Sequence, residues 1–270
     1  MFKSCLYGLL AIGLGLVLAP HALAYDGTYV PGTGINNTPH DLGTPGANGM
    51  NYPPNTLEPD TLTRKCIWCH APHNTYRLST ATGGLGPQAP AAFDYLPLWN
   101  HTITPGYVTT FTLYTNGTGG PQTGPKALQA PSGLGTPGST SLLCLSCHDG
   151  SIAVNSYGNS AQLTGSISTG SAVMSTAYQI GAGKYLGNHH PIGFNYALVQ
   201  AVDTEIRDAD LWLMTPTEFI SSYLSNGKME CSTCHAVHNK GNSGETLLWR
   251  SDQNSQLCLT CHDKGLYTFP

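Results

Sequence analysis

Eight of the nine cysteines fall into four pairs, each spaced C-x-x-C and each followed at once by histidine. They are Cys66-Ile67-Trp68-Cys69-His70, Cys144-Leu145-Ser146-Cys147-His148, Cys231-Ser232-Thr233-Cys234-His235 and Cys258-Leu259-Thr260-Cys261-His262. C-x-x-C-H is the attachment motif for c-type haem. Two thiols add to the two vinyl groups on one edge of a porphyrin, and two intervening residues span that edge. The next residue then sits under the iron, where His70, His148, His235 and His262 would each supply the proximal imidazole.

Paired thiols also bind zinc, act as redox dithiols or form disulfides. None of those uses needs histidine at the next position. With 11 histidines in 270 residues, four chance placements have odds of about a few in a million. The sequence therefore predicts four covalent haems.

A second imidazole for each iron must come from elsewhere in the chain. Outside the leader described below, the histidines that are not proximal are His40, His73, His101, His189, His190 and His238. Methionine is scarce there: Met50, Met174, Met214 and Met229. His73 and His238 each lie three residues beyond a proximal histidine, too near to reach the opposite face of the same iron. Either one must serve a different haem. His189 and His190 cannot both serve one iron, and Pro191 biases His190 toward an extended, loop-like backbone. His101 follows Trp99, whose ring could pack on a porphyrin face. Asp41 could orient His40 through hydrogen bonding. Five candidates, His40, His73, His101, His190 and His238, thus compete for four distal positions. One is either structural or serves a haem in another subunit.

The elements that must position these residues are modest. Residues 1–24 read as a secretory signal peptide: Lys3, an apolar run from Leu6 to Leu18, then Ala22-Leu23-Ala24 as a cleavage site. Cys5 and His21 leave with it. No other apolar run approaches spanning length. Residues 25–270 form a single expected tetrahaem domain. Only 10% of residues are charged and 9% aromatic, against 32 glycines and 19 prolines. Such a chain has much conformational entropy to lose and few large apolar groups to offset it, so something besides side chains is expected to fill the middle. The net charge of −4 comes with no basic cluster, which argues against nucleic-acid and membrane-surface binding.

The motifs repeat. His40, Cys66–His73 and Cys144–His148 make a first half, about 25–165. His190, Cys231–His238 and Cys258–His262 make a second, about 166–270. Short helices are expected over Ser141–His148 and Asn254–His262, with Gly150 and Gly265 as stops. Thr215-Pro216-Thr217-Glu218 reads as a capping box opening a helix that ends near Asn226-Gly227. Tyr107–Tyr114 has strand-type residues, and 80–92 and 115–140 read as loops. Such long loops suit a chain that wraps a column of haems. The expected fold is mostly irregular coil with short helices and few strands, wrapped around a stacked haem array.

Pro39-His40-Asp41-Leu42, Leu98-Trp99-Asn100-His101, Leu143–Gly150, His190-Pro191-Ile192-Gly193-Phe194, Glu230–His238 and Leu257–His262 occur in an order that resembles the multihaem cytochromes with doubled C-x-x-C-H motifs. The resemblance is greatest to tetrahaem outer-surface cytochromes that polymerise into extracellular nanowires. It implies bis-histidine haems, stacked in alternating parallel and T-shaped pairs, and a head-to-tail homo-oligomer. It also implies that a histidine of one subunit, with His73 the candidate, completes a haem in the next. The doubled His189-His190 departs from the family pattern. Function is then electron transfer to other cytochromes or external acceptors, at the cell surface or outside the cell. A monomeric periplasmic electron shuttle and a multihaem reductase are the alternatives. Carboxylate pairs, nucleophile–base pairs and phosphate-binding glycine loops are not recognisable, so an electron carrier is expected rather than an enzyme.

Overall fold

The computed structural model describes residues 30–36, 38–42, 64–72, 98–101, 111–113, 137, 139–154, 157, 174, 176–242 and 245–265. The leader 1–24, His73, the loop 80–92, most of the loop 115–140, and the Tyr107–Tyr114 strand apart from 111–113 lie outside the described residues.

Regular structure is sparse. Helices are α1 (Ser139–His148), α2 (Tyr196–Gln200), α3 (Cys231–Cys234) and α4 (Gln256–Cys261). Strands are β1 (Phe194–Asn195), β2 (Leu213–Thr215), β3 (Glu218–Phe219) and β4 (Lys228–Met229). They make two separate antiparallel pairs, β1 with β4 and β2 with β3. Coil and 3-10 turns, including Cys66–Trp68, join them. No described helix is long and apolar enough to cross a membrane.

Two small cores hold these pieces. In the first, Leu142, Leu143 and Leu145 of α1 pack with Trp99, Ile152 and Leu186, and Cys69 lies against them. In the second, Phe194, Tyr196, Val199, Met214, Ile220 and Met229 surround Cys261, with Cys234 and Trp249 at the edge. Each core therefore abuts cysteine pairs, and the apolar burial that folds the chain also sets where the thiols point.

Helix α1 ends as the sequence predicts. Gly150 takes φ 72°, a left-handed conformation that favours glycine. A Cβ there would come within 2.1 Å of the Gln179 side chain. Helix α4 falls within the predicted 254–262 segment. The predicted helix after Thr215 does not form. Pro216 and Thr217 instead turn the β2–β3 hairpin, and a single 3-10 turn, Ile220–Tyr223, follows. The Tyr223 hydroxyl donates to Glu218 Oε2 at 2.6 Å and accepts from the Thr215 hydroxyl at 3.2 Å. The side chains that would close a capping box are thus engaged across the hairpin, while Met214 and Ile220 are drawn into the core.

Candidate haem-binding site

A C-x-x-C-H segment that makes one helical turn puts both thiols and the imidazole on one side, because residues three and four apart share a helix face. The described motifs do this. The His70 N–H donates to the Cys66 carbonyl at 2.7 Å, His235 to Cys231 at 3.1 Å and His262 to Cys258 at 2.9 Å. The second motif is the last turn of α1.

Immediately after the turn, three of the motifs enter the same backbone clamp. His70, His235 and His262 form isolated antiparallel bridges with Trp99, Leu248 and Ile206. Ala71 N–H donates to Leu98 O at 3.0 Å and Asn100 N–H to Cys69 O at 2.8 Å. Ala236 donates to Leu247 and Trp249 to Cys234, both at 3.0 Å. Asp263 donates to Glu205 at 2.7 Å and Arg207 to Cys261 at 2.8 Å. Leu98 and Leu247, which open the first two clamps, share an uncommon positive φ of 53° and 59°. These partners were not singled out as positioning elements from the sequence. The one visible signal is the Leu-Trp dipeptide at 98–99 and again at 248–249.

Three imidazole pairs then stand out. His40 faces His148 with ring centres 6.2 Å apart and planes at 77°. His238 faces His70 at 6.0 Å and 35°. His190 faces His262 at 6.2 Å and 68°. Each pair joins one C-x-x-C-H histidine to one distal candidate. Two imidazoles on opposite sides of one iron, with bonds of about 2 Å and nitrogens about 1.1 Å from the ring centres, have centres about 6.2 Å apart. The spacing therefore fits a metal between the rings. Among the described residues, no group of three or more His, Cys, Asp or Glu side chains is arranged to hold a bare metal ion.

The hydrogen bonds fit the same chemistry. His40 Nδ1–H donates to Val237 O at 3.4 Å, His190 Nδ1–H to Pro191 O at 2.8 Å and His235 Nδ1–H to Leu247 O at 3.3 Å. A carbonyl only accepts, so the proton must be on Nδ1 and the Nε2 lone pair is left for a metal. Burial lowers the pKa of His40, His235, His238 and His262, and lowers that of His148 to about 4. At neutral pH these rings are neutral, the form that ligates. His40 is placed by a strap: the Asn239 amide donates to Val30 O and Gly34 O at 2.9 and 3.0 Å. Asp41 does not orient His40 as the sequence suggested. Its carboxylate is buried and pairs with Lys65 at 2.8 Å, while Val237 holds the ring.

His101 sits differently. It is buried beside Trp99, its Nε2–H donates to Ala153 O at 3.1 Å, and Cys147 Sγ lies 3.3 Å away. Its Nε2 is thus engaged with protein atoms. His189 has no imidazole facing it, and His235 has none at axial spacing, among the described residues. His73 lies outside them.

The motifs abut in chain order. Burial and then the neighbouring Cys69 push the Cys147 thiol up. The Cys144 and Cys231 thiols are close neighbours, and their interaction raises the first and lowers the second. Burial and then Cys261 push Cys234 up to about 12. The outermost sulfurs of this run, Cys66 and Cys258, are the exposed ones. An open cleft of about 480 Å³ at the first motif is lined by Arg64, Lys65, Cys66, Ile67, His70 and Pro72. It offers a thiol, an imidazole and an apolar wall, with Lys65 held beside it by Asp41.

The family described as "Doubled CXXCH motif" matches residues 224–266, which hold the third and fourth cysteine pairs. No curated protein matches the chain. The family match is consistent with a multihaem c-type cytochrome, and it supports haem binding and cytochrome-type electron transfer by this chain.

Proposed function

We propose that the chain carries four covalent c-type haems and transfers electrons along them without making or breaking bonds in a substrate. The observation that supports this best is the set of three imidazole pairs at 6.0–6.2 Å, each including a C-x-x-C-H histidine. Cys66 and Cys69, Cys144 and Cys147, Cys231 and Cys234, and Cys258 and Cys261 hold the porphyrins. His70 with His238, His148 with His40, and His262 with His190 would each hold one iron between them. Haem held so would supply one-electron transfer at a potential set by those ligands, their hydrogen bonds and burial.

The chain's own residues do the rest. The clamps fix each histidine against its thiols, and the carbonyls of Val237, Pro191 and Leu247 orient the rings. Trp99, Leu142, Leu145, Ile220 and Met214 keep water from the inner motifs. Ligation crosses the repeat, because His238 of the second half serves His70 of the first. His235 takes its second imidazole from His73, either of its own chain or of another copy of the chain. The second route accords with a head-to-tail extracellular filament exchanging electrons with other cytochromes or external acceptors, and we favour it over a monomeric periplasmic shuttle. His101 is a buried structural histidine in this scheme.

Mass spectrometry of the exported protein is expected to show the polypeptide plus four haems, with residues 1–24 removed. The reduced protein is expected to leave its Soret band unmoved by carbon monoxide. A large carbon monoxide shift in the wild-type protein would favour a reductase with an open iron. Negative-stain microscopy of secreted material separates filament from monomer.

A further inference from the structure

Between the second and third motifs lies a buried polar joint that neither the attachment chemistry nor the axial ligands use. Ser141 of α1 donates its hydroxyl hydrogen to the Glu230 carboxylate. The same Ser141 Oγ accepts from the Cys231 N–H at 3.0 Å. The Glu230 N–H donates to Thr233 Oγ1 at 3.0 Å. Ser141, Glu230 and Thr233 are all buried, with Glu230 only 1% exposed. On the same joint the Cys144 and Cys231 thiols are close neighbours, and Cys144 Sγ donates to the Thr140 carbonyl at 3.2 Å. One serine therefore ties the helix of the second motif to the first turn of the third. A carboxylate lies sealed next to the Cys231 thiol, and Ser141 links it to the helical turn that carries Cys144.

We infer that Glu230 and Ser141 are positioning and tuning residues: they fix the second haem site against the third, and the Glu230 carboxylate holds both reduction potentials down. The inference rests on the haem reading above. Burying a carboxylate is costly unless its oxygens are hydrogen-bonded, and here the Ser141 hydroxyl and, through a capping box on the third motif's turn, the Thr233 N–H both donate to it. A negative charge in a low-dielectric site favours the more positive, oxidised iron. The charge bears directly on the Cys231 sulfur and, through Ser141, on the turn that carries Cys144, so its effect is local to those two sites.

The test is spectropotentiometry of the haem-loaded protein carrying Glu230→Gln, which keeps the shape and the acceptor oxygen but removes the charge. The site held by His40 and His148 is identified beforehand by the rise that His40→Met produces in its potential. Glu230→Gln is expected to raise that midpoint and one other, leaving the remaining two in place, and Glu230→Asp is expected to restore values near wild type. Ser141→Ala keeps the charge and opens the joint. It is expected to alter the same two midpoints and the spin coupling of that pair in EPR, which gives a second readout if Glu230→Gln loads poorly. A fully loaded protein whose midpoints stay put in both variants, or move all together, overturns the inference. Wild-type protein without haem overturns the functional reading instead.

Discussion

Around the first cysteine pair and around the third, the backbone follows one path. A turn carries the thiols, a histidine enters an antiparallel bridge, and a leucine with positive φ opens the clamp. The surroundings of the two histidines then diverge. His70 faces His238 at 6.0 Å, whereas no described imidazole stands at axial spacing from His235. The residue two beyond each bridge partner differs as well: His101 after Trp99, Arg250 after Leu248. The clamp thus repeats with the half-chain while the imidazole pairing does not. The local clamp is encoded within each half, but the facing imidazole comes from a distant segment and depends on how the halves meet.

The largest expected effect removes both regions at once. The haem-free chain, made with all eight motif cysteines changed to serine, is expected to be largely unfolded by circular dichroism, since cofactor binding energy becomes folding energy here. Cooperative thermal unfolding of that chain would contradict this. Next, His238→Ala should open one iron in the first region. Carbon monoxide is then expected to bind about one haem in four, counted against total haem. His101→Ala should open none, and a carbon monoxide band in that variant would return His101 to the ligand set. Third, Leu142→Ala and Ile220→Ala each remove a fully buried side chain from one core. Each is expected to destabilise the holoprotein by about 2–5 kcal/mol in denaturant titration. A cost in only one region would show that haem, not side chains, holds the other. The smallest effect belongs to the clamps. Leu98→Gly and Leu247→Gly relieve a left-handed conformation that costs an L-residue about 1–2 kcal/mol, and each loses some side-chain packing. The net change is expected to stay within about 1 kcal/mol and to share its sign between the two sites.

Much of the site was legible because its chemistry is local. Four C-x-x-C-H turns are written in five consecutive residues each, and His40, His190 and His238 stand out by their place in the repeat. The α1 and α4 helices also follow from short-range signals, Gly150 among them. What escaped depends on distant contacts. No spacing rule brings His238 to His70 across more than half the chain, sets Val237 rather than Asp41 on His40, or pairs Ser141 with Glu230. Thr215-Pro216-Thr217-Glu218 shows the same limit from the other side. Its residues satisfy a capping box locally, yet the burial of Met214 and Ile220 and the Tyr223 hydroxyl favour a hairpin.

The most direct test is the iron–nitrogen partner list from an experimental structure of the haem-loaded protein. The account predicts His238 opposite His70, His40 opposite His148 and His190 opposite His262, with the four porphyrins following one another in chain order. An iron at His70, His148 or His262 completed by any other residue, or porphyrins out of that order, would contradict it.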